Sequence, residues 1–388
     1  MFNRDFFIGN RKRLADKLPN SFIVITAHGE LQKSADEAFP FRQDSSFWYL
    51  TGIDEPELVL LINTVDGESE LLLPEQNDYQ KEWDGHNDET EFTNISGVKK
   101  FADKSKLTSK LKKAKEMGLK VCYLKPLAEK VQPFNFYSNP ARRKLAEKIM
   151  EVEPEPKDIR LELGQLRQVK QQCEIEAIQR AIDITNQTLD DVKSRLEEFK
   201  TEKDIERALT AGFYANGGDG HAFSPIVAFG PNASTIHYNK NSSTIDGDGF
   251  VLLDIGARFD HYAADISRML QVGEPTERQH EIYQVVADIQ AYALKIVKPG
   301  ITIQEINIKT DDYAVKLFKK HAIDMDCIPH SVSHYLGIDT HDAGDYDLPL
   351  EPGCVLTVEP GVYLPKEGIG VRIEDDVLVT ETGVDILS

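Results

Sequence analysis

Cysteine is scarce in this chain of 388 residues: the four present, Cys122, Cys173, Cys327 and Cys354, are widely scattered. None stands in CxxC spacing, which argues against a structural zinc site and leaves thiols in a reducing compartment, the cytoplasm, as the expectation. Long apolar runs are missing too, since no stretch of about eighteen apolar residues occurs and a membrane span is not expected. The opening MFNRDFFIGNRKRLADKLP mixes charge with aromatics and has neither the apolar core nor the small-residue cleavage site of a secretory signal. It reads as an amphipathic helix. Positive charge is in short supply, 45 basic against 65 acidic residues for a formal charge of −20. Lys110, Lys112, Lys113 and Lys115, and Arg142 with Arg143, form short clusters that no longer basic stripe joins. Nucleic acid is therefore not an expected partner.

What is present suits a globular protein, with 40% hydrophobic and 28% charged residues, and the length suits two or three domains. Residues 1–155 alternate short apolar runs (Phe22–Thr26, Leu58–Ile62, Glu70–Leu73, Lys120–Leu124) with helix-like stretches, the pattern of a small α/β domain. The Pro- and charge-rich segment EVEPEPKDIR, residues 151–160, marks the boundary, with a linker expected over 156–165. From 166 to 388 long helices dominate. Ile175, Ile178, Ile182, Leu189, Val192, Leu196 and Phe199 form one apolar stripe. Thr201 with Asp204 and Thr276 with Gln279 resemble capping boxes, and a further helix begins near Thr302. β-rich segments lie between and after these helices, so the second domain is expected to be α+β.

Two β-rich segments carry acids inside apolar runs. In FVLLDIGARFDHYAADISRML a turn near Phe259–His261 would set Asp254 opposite Asp265. In VLTVEPGVYLPKEGIGVRIEDDVLV a turn at Lys366–Glu367 would set Glu359 opposite Glu374. Each segment runs Val-Leu, acid, then glycine two residues on, a weak repeat that suggests two related halves. Acids gathered in a core repel one another unless cations neutralise them, so four facing carboxylates imply metal. Any one of them alone would read as a solvated strand-edge acid. Histidines concentrate in HSVSHYLGIDTHD, with His330, His334 and His341. A helix would put His330 and His334 on one face. The zincin pattern is absent, because Ser331 stands where a glutamate would follow the first histidine. One nitrogen beside four carboxylates favours a harder divalent ion, Mn²⁺ first, with Co²⁺, Zn²⁺ or Fe²⁺ as alternatives.

Over residues 166–388 the strings DIG, DISR, SHYLGIDTHD, TVEPGVY and GVRIEDD together resemble the pita-bread metallopeptidases, the group of aminopeptidase P, prolidase and methionine aminopeptidase. The segment FRQDSSFWYLTGIDEPELVLLI (41–62) and WDG (83–85) resemble the amino-terminal domain of bacterial aminopeptidase P. The resemblance implies a pita-bread (creatinase/aminopeptidase-like) catalytic domain behind a smaller creatinase-like α/β domain. It also implies two metal ions: Asp254 would bind one, His334 and Glu359 the other, with Asp265 and Glu374 bridging. By the same resemblance His237, His330, His341, Tyr363 and Arg372 belong to the substrate site, and relatives are commonly dimers or tetramers. Two departures stand out. Ser331 replaces the usual glycine after His330, and His86-Asn87 follow WDG where many relatives have arginine.

The activity so implied is removal of the N-terminal residue from peptides with proline second. Two cations about 3.5 Å apart lower the pKa of a shared water toward neutrality. The resulting hydroxide would attack the first residue's carbonyl, with Glu359 shuttling the proton and His237 and His341 donating to the oxyanion. Prolidase, restricted to dipeptides, is the near rival. Creatinase works on this fold without metal but lacks the full ligand set. A noncatalytic protein-binding module of the same fold is the rival from another class.

Overall fold

The computed structural model describes residues 2–85, 87–131, 134–324 and 330–388; His86 and Cys327, singled out above, lie outside them. The chain divides into two compact units, Phe2–Leu166 and Arg167–Ser388.

In the first unit a six-stranded mixed sheet runs in the order Lys157–Asp158, Lys120–Tyr123, Ser21–Thr26, Val59–Asn63, Glu68–Leu73, Lys100–Asp103. The four strands expected from apolar runs are there, shifted by a residue or two at their ends. Their nearly unbroken hydrophobicity has a structural reason, since helices cover both faces. Leu107, Leu111, Leu145 and Ile149 pack on Val24, Leu61 and Val121, while the helices Arg4–Lys17 and Ser45–Thr51 meet the strands from outside that cluster. The segment expected to be a linker has structure of its own. Lys157–Asp158 pairs with Lys120–Tyr123, and the helix Arg160–Gln168 follows. Ile159 and Leu163, one turn apart, are fully buried and supply the apolar stripe.

Asp44 organises one end of this unit. Its Oδ1 caps the helix Ser45–Thr51, accepting from the Ser46 and Phe47 amides at 3.0 Å each, and its Oδ2 pairs with Arg142 at 2.6 Å. Burial pushes the carboxyl upward, but Arg142, His28 and the Phe47 amide together hold it below the ordinary range.

The second unit has two halves of like construction. In the first, helices Gln172–Ser194 and Glu202–Ala215 pack on an antiparallel sheet ordered Ile226–Phe229, Gly249–Ile255, Ile266–Val272. In the second, helices Glu277–Ile296 and Ile303–His321 pack on Val355–Val358, Asp375–Val379 and Val384–Ile386 and on the ribbon Gly361–Leu364/Ile369–Arg372. Ile184, Val192, Ile205, Leu209 and Phe213 bury against Val251, Leu253 and Ile255. Ile282, Val286, Ile289 and Phe318 bury against Val362 and Val371. The weak sequence repeat thus corresponds to a repeated unit of two helices and a hairpin. Capping boxes stand at Thr201/Asp204, Thr276/Gln279 and Thr302/Glu305. The long stripe ends sooner than its periodicity suggests. The helix stops at Ser194, and Leu196 and Phe199 reach the same core from a short turn. Among the described residues no helix is long and apolar enough to cross a membrane.

Because Asp44 is held ionised, its stabilisation is present above the ordinary carboxylate range and fades as pH falls through its lowered folded-state value. Asp44→Ala is expected to cost about 2–4 kcal/mol at neutral pH, combining a lost cap with a stranded guanidinium. Denaturant titrations of wild type and variant should converge on acidification; a difference that stays constant with pH would contradict the account.

Candidate metal centre

The two hairpins of the second unit supply the acids. In the first, Phe259 pairs with Tyr262 around Asp260 and His261, both at positive φ (47° and 74°), a two-residue turn matched to the strand twist. This turn is centred one residue later than expected, and the register therefore moves by two. Asp254 pairs with Ser267, not with Asp265. Side chains alternate with period two, so Asp265 still shares the face of Ser267. Gly256 permits the close crossing beside them, since a Cβ there would sit 1.7 Å from the Ala264 carbonyl oxygen. In the second hairpin Gly361 pairs with Arg372 and Val358 with Asp375, and that register sets Glu359 against Glu374. An antiparallel bridge between Ser267 and Glu374 joins the two hairpins.

His334 comes from neither hairpin. No helix forms over His330 and His334, so they do not share a helix face. The segment is irregular and tied to Val355–Val358 by the bridge Tyr335–Leu356 and by Glu359 N donating to Val332 O at 2.8 Å. Its buried aromatic, Tyr335, docks in the core. His334 Nδ1 donates to Tyr335 O at 3.0 Å, which fixes the ring with Nε2 turned toward the acids. Nε2 lies 3.1 Å from Glu359 Oε1 and 3.5 Å from Asp265 Oδ2.

Asp265, His334 and Glu374 are 5%, 6% and 1% exposed, and their candidate ligand atoms lie within 4.8 Å of one another. Asp254 and Glu359 stand at the rim, with side chains 13% and 15% exposed. The donors show that a cation fits. Asp254 Oδ1 is buried with no hydrogen-bond partner. Burial, then the neighbouring Asp254 and Glu359 charges, push Asp265 up to about 7 despite its bond to His334. Burial and the charges of Asp265, Glu359 and Asp254 drive Glu374 well above the carboxylate range. Glu359 goes the other way: burial opposes ionisation, but His334, His330 and Arg372 hold it low. Crowded, desolvated carboxylates beside an imidazole are chemically suited to hold a divalent ion.

Around the cluster lies a hydrogen-bonded chain. Arg372, 3% exposed, donates through Nη2 to Asp254, through Nε to Ser267 Oγ at 2.8 Å and through Nη1 to Tyr363 Oη at 2.6 Å. Tyr363 Oη is 2.9 Å from His330 Nε2, and His330 Nδ1 is 2.9 Å from Ser331 O. With Nδ1 as donor, Nε2 accepts from Tyr363. Burial pushes the Tyr363 phenol up to about 12 against the pull of Arg372. Tyr363 is therefore more than core packing. His341 stacks on His334, ring centroids 4.1 Å apart. Burial, with His334, His237 and His330 adding to it and Glu359 opposing, pushes His341 down to about 4. Its loop is pinned by Asp342, which pairs with Arg167 and, at 2.9 Å, with Lys170. His237 is exposed on the loop after Ile226–Phe229. Ser267 and Asp376 also belong to the site, beyond the residues singled out from the sequence. Ser267 Oγ donates to Glu374 Oε2 at 2.8 Å, and Asp376 Oδ2 accepts from the Asp265 amide at 3.0 Å. Each lies two residues beyond a candidate ligand, on the same strand face, and that period was the available signal.

Such a carboxylate–imidazole centre is the kind that polarises carbonyls and activates water. Residues 176–381 match Metallopeptidase family M24, and residues 7–122 match Aminopeptidase P, N-terminal domain. The Xaa-Pro aminopeptidase of Escherichia coli K12 is 30% identical over 420 residues, spanning 100% of this chain and 95% of that protein. The Xaa-Pro dipeptidase of Pyrococcus furiosus is 35% identical over 227 residues, 58% of this chain and 64% of its own. The solved structure of a putative aminopeptidase P from Bacillus anthracis superposes with TM-score 0.86 at 30% identity, covering 100% of this chain and 95% of that one. The chain belongs to metallopeptidase family M24.

Asp265→Asn or Glu374→Gln removes a charge from the buried group and is expected to weaken divalent-ion binding at least tenfold, to judge from what even outer-sphere changes cost. Elemental analysis after dialysis checks this; full retention of metal in both variants would contradict the assignment. Gly256→Ala should destabilise the protein by about 3 kcal/mol through the backbone clash it creates, read as a shift in the denaturation midpoint.

Proposed function

We propose that this chain is a metal-dependent Xaa-Pro aminopeptidase, removing the N-terminal residue from peptides whose second residue is proline. The observation that carries the proposal is the buried Asp265–His334–Glu374 group flanked by Asp254 and Glu359, in a chain whose first unit also matches the aminopeptidase P amino-terminal domain. Asp254, Asp265, His334, Glu359 and Glu374 would hold two divalent ions. Mn²⁺ suits one imidazole among carboxylates best, with Co²⁺, Zn²⁺ or Fe²⁺ as alternatives. When bound, the ions supply Lewis acidity and an activated water.

The chain's own residues do the rest. Glu359, kept ionised beside His334 and His330, takes a proton at a carboxylate oxygen and returns it to the proline nitrogen as the imide bond breaks. His341, kept neutral by burial, donates an N–H to the carbonyl oxygen as negative charge builds there, and His237 does so from its own loop. The Arg372–Tyr363–His330 chain presents donors and an aromatic wall to the substrate beyond the scissile bond, and its mutual hydrogen bonds hold these groups in place beforehand. The acidic net charge and the free thiols of Cys122, Cys173 and Cys354 support a cytoplasmic protein that acts on peptides, with neither nucleic acid nor membrane as partner. Family resemblance supports a homodimer or homotetramer. A prolidase reading draws on the Pyrococcus relative, but that likeness spans only 58% of the chain.

The test compares hydrolysis of an Xaa-Pro dipeptide with an Xaa-Pro-Pro tripeptide in the presence of Mn²⁺. Preference for the tripeptide is expected. Strong preference for the dipeptide would make the chain a prolidase, and inertness toward both would restore the protein-binding reading. His341→Ala should lower kcat by about 10²–10³, as loss of one oxyanion donor does, with KM little changed.

A further inference from the structure

Between the strands Ile226–Phe229 and Gly249–Ile255 the chain makes a long excursion that bears His237. Irregular loops of this length usually serve function, and they need anchoring. One carboxylate provides it. Glu202, the first residue of the helix Glu202–Ala215, is 0% exposed. Its Oε1 accepts from Phe229 N and Asn232 Nδ2, each at 2.8 Å, and its Oε2 from Tyr238 Oη and Ser243 N, each at 2.8 Å. These donors belong to the entrance, the middle and the exit of the excursion, and Tyr238 is the residue beside His237. Asn232 adds cross-links to Tyr238 Oη at 3.1 Å and Ser243 Oγ at 2.9 Å. A second tie lies one turn along, where Asn241 Nδ2 donates to Glu206 Oε2 at 2.9 Å.

A glutamate serving only its helix would bond that helix's own first amides. Glu202 spends its side-chain bonds on the loop, while Thr201 and Asp204 cap the helix. The helix N-terminus stabilises the buried charge, and charge-assisted bonds make the anchor stiff. The loop also lies on the strand Ile369–Arg372, since a Cβ at Gly370 would come 1.9 Å from Ala233 O. Its position is thus set from both sides.

We propose that Glu202 is a positioning residue for the peptidase reaction, holding the His237 loop in its working geometry. This rests on the reading of His237 as a substrate-site residue. The experiment measures kcat/KM for an Xaa-Pro-Pro peptide with His237→Ala, Glu202→Gln and the double variant, each with bound metal quantified. Each single change is expected to lower kcat/KM about tenfold or more, with metal content as in wild type and the double variant no worse than His237→Ala alone. Losses that multiply, metal loss in Glu202→Gln, or full activity in that variant while His237→Ala is impaired would overturn the proposal. Full activity in His237→Ala would instead remove the reading beneath it. If Glu202→Gln fails to fold, Tyr238→Phe deletes a single donor to the same carboxylate and is read in the same cycle.

Discussion

Mutual repulsion among buried carboxylates is the constraint on which the second unit is built. Asp254, Asp265, Glu359 and Glu374 come from two hairpins that share no turn, and the bridge between Ser267 and Glu374, with the side-chain bonds around it, holds the hairpins together. Left alone, such acids would push the hairpins apart or hold protons, and the upward displacement of Asp265 and Glu374 records that tension. Each of the two helix pairs buries the back of one sheet, so the cost of crowding charge on the front is met by apolar burial behind it. The repeated plan of two helices and a hairpin thus yields a site at its own seam, with each half contributing one pair of acids.

Much of this could be read from residues in order, and the misses have physical causes. The glutamate hairpin was legible because PKEG marks its turn and the register follows by counting. The aspartate hairpin was legible only to within two residues, because Asp260 and His261 adopt left-handed φ without a glycine to announce it. The histidine segment was ambiguous, because its four-residue spacing suits a helix but also suits the irregular run found, whose register is set by Leu356 and Thr357. Polar residues acting through hydrogen bonds, such as Ser267, Asp376 and Glu202, were invisible as partners, since their meaning lies in groups distant along the chain. Glu202 in particular lies inside the Thr201–Asp204 capping box, whose local role masks the side chain's distant partners.

In the first unit, strands buried on both faces read plainly as apolar runs, while residues 156–165 hid a strand and a helix behind two prolines and a run of charge. Local composition speaks for turns; it says little about what Ile159 and Leu163 bury against.

Arg372 gives the centre a property that its acids alone would not have. The guanidinium donates to Asp254 and Ser267 on one hairpin and to Tyr363 on the other, so a permanent positive charge is riveted across the seam by covalent attachment to the chain. This charge offsets part of the repulsion among the acids, and its hydrogen bonds frame the pocket. The two hairpins are thus fastened to one another by a side chain of the protein itself, whose charge is of the sign the crowded acids need.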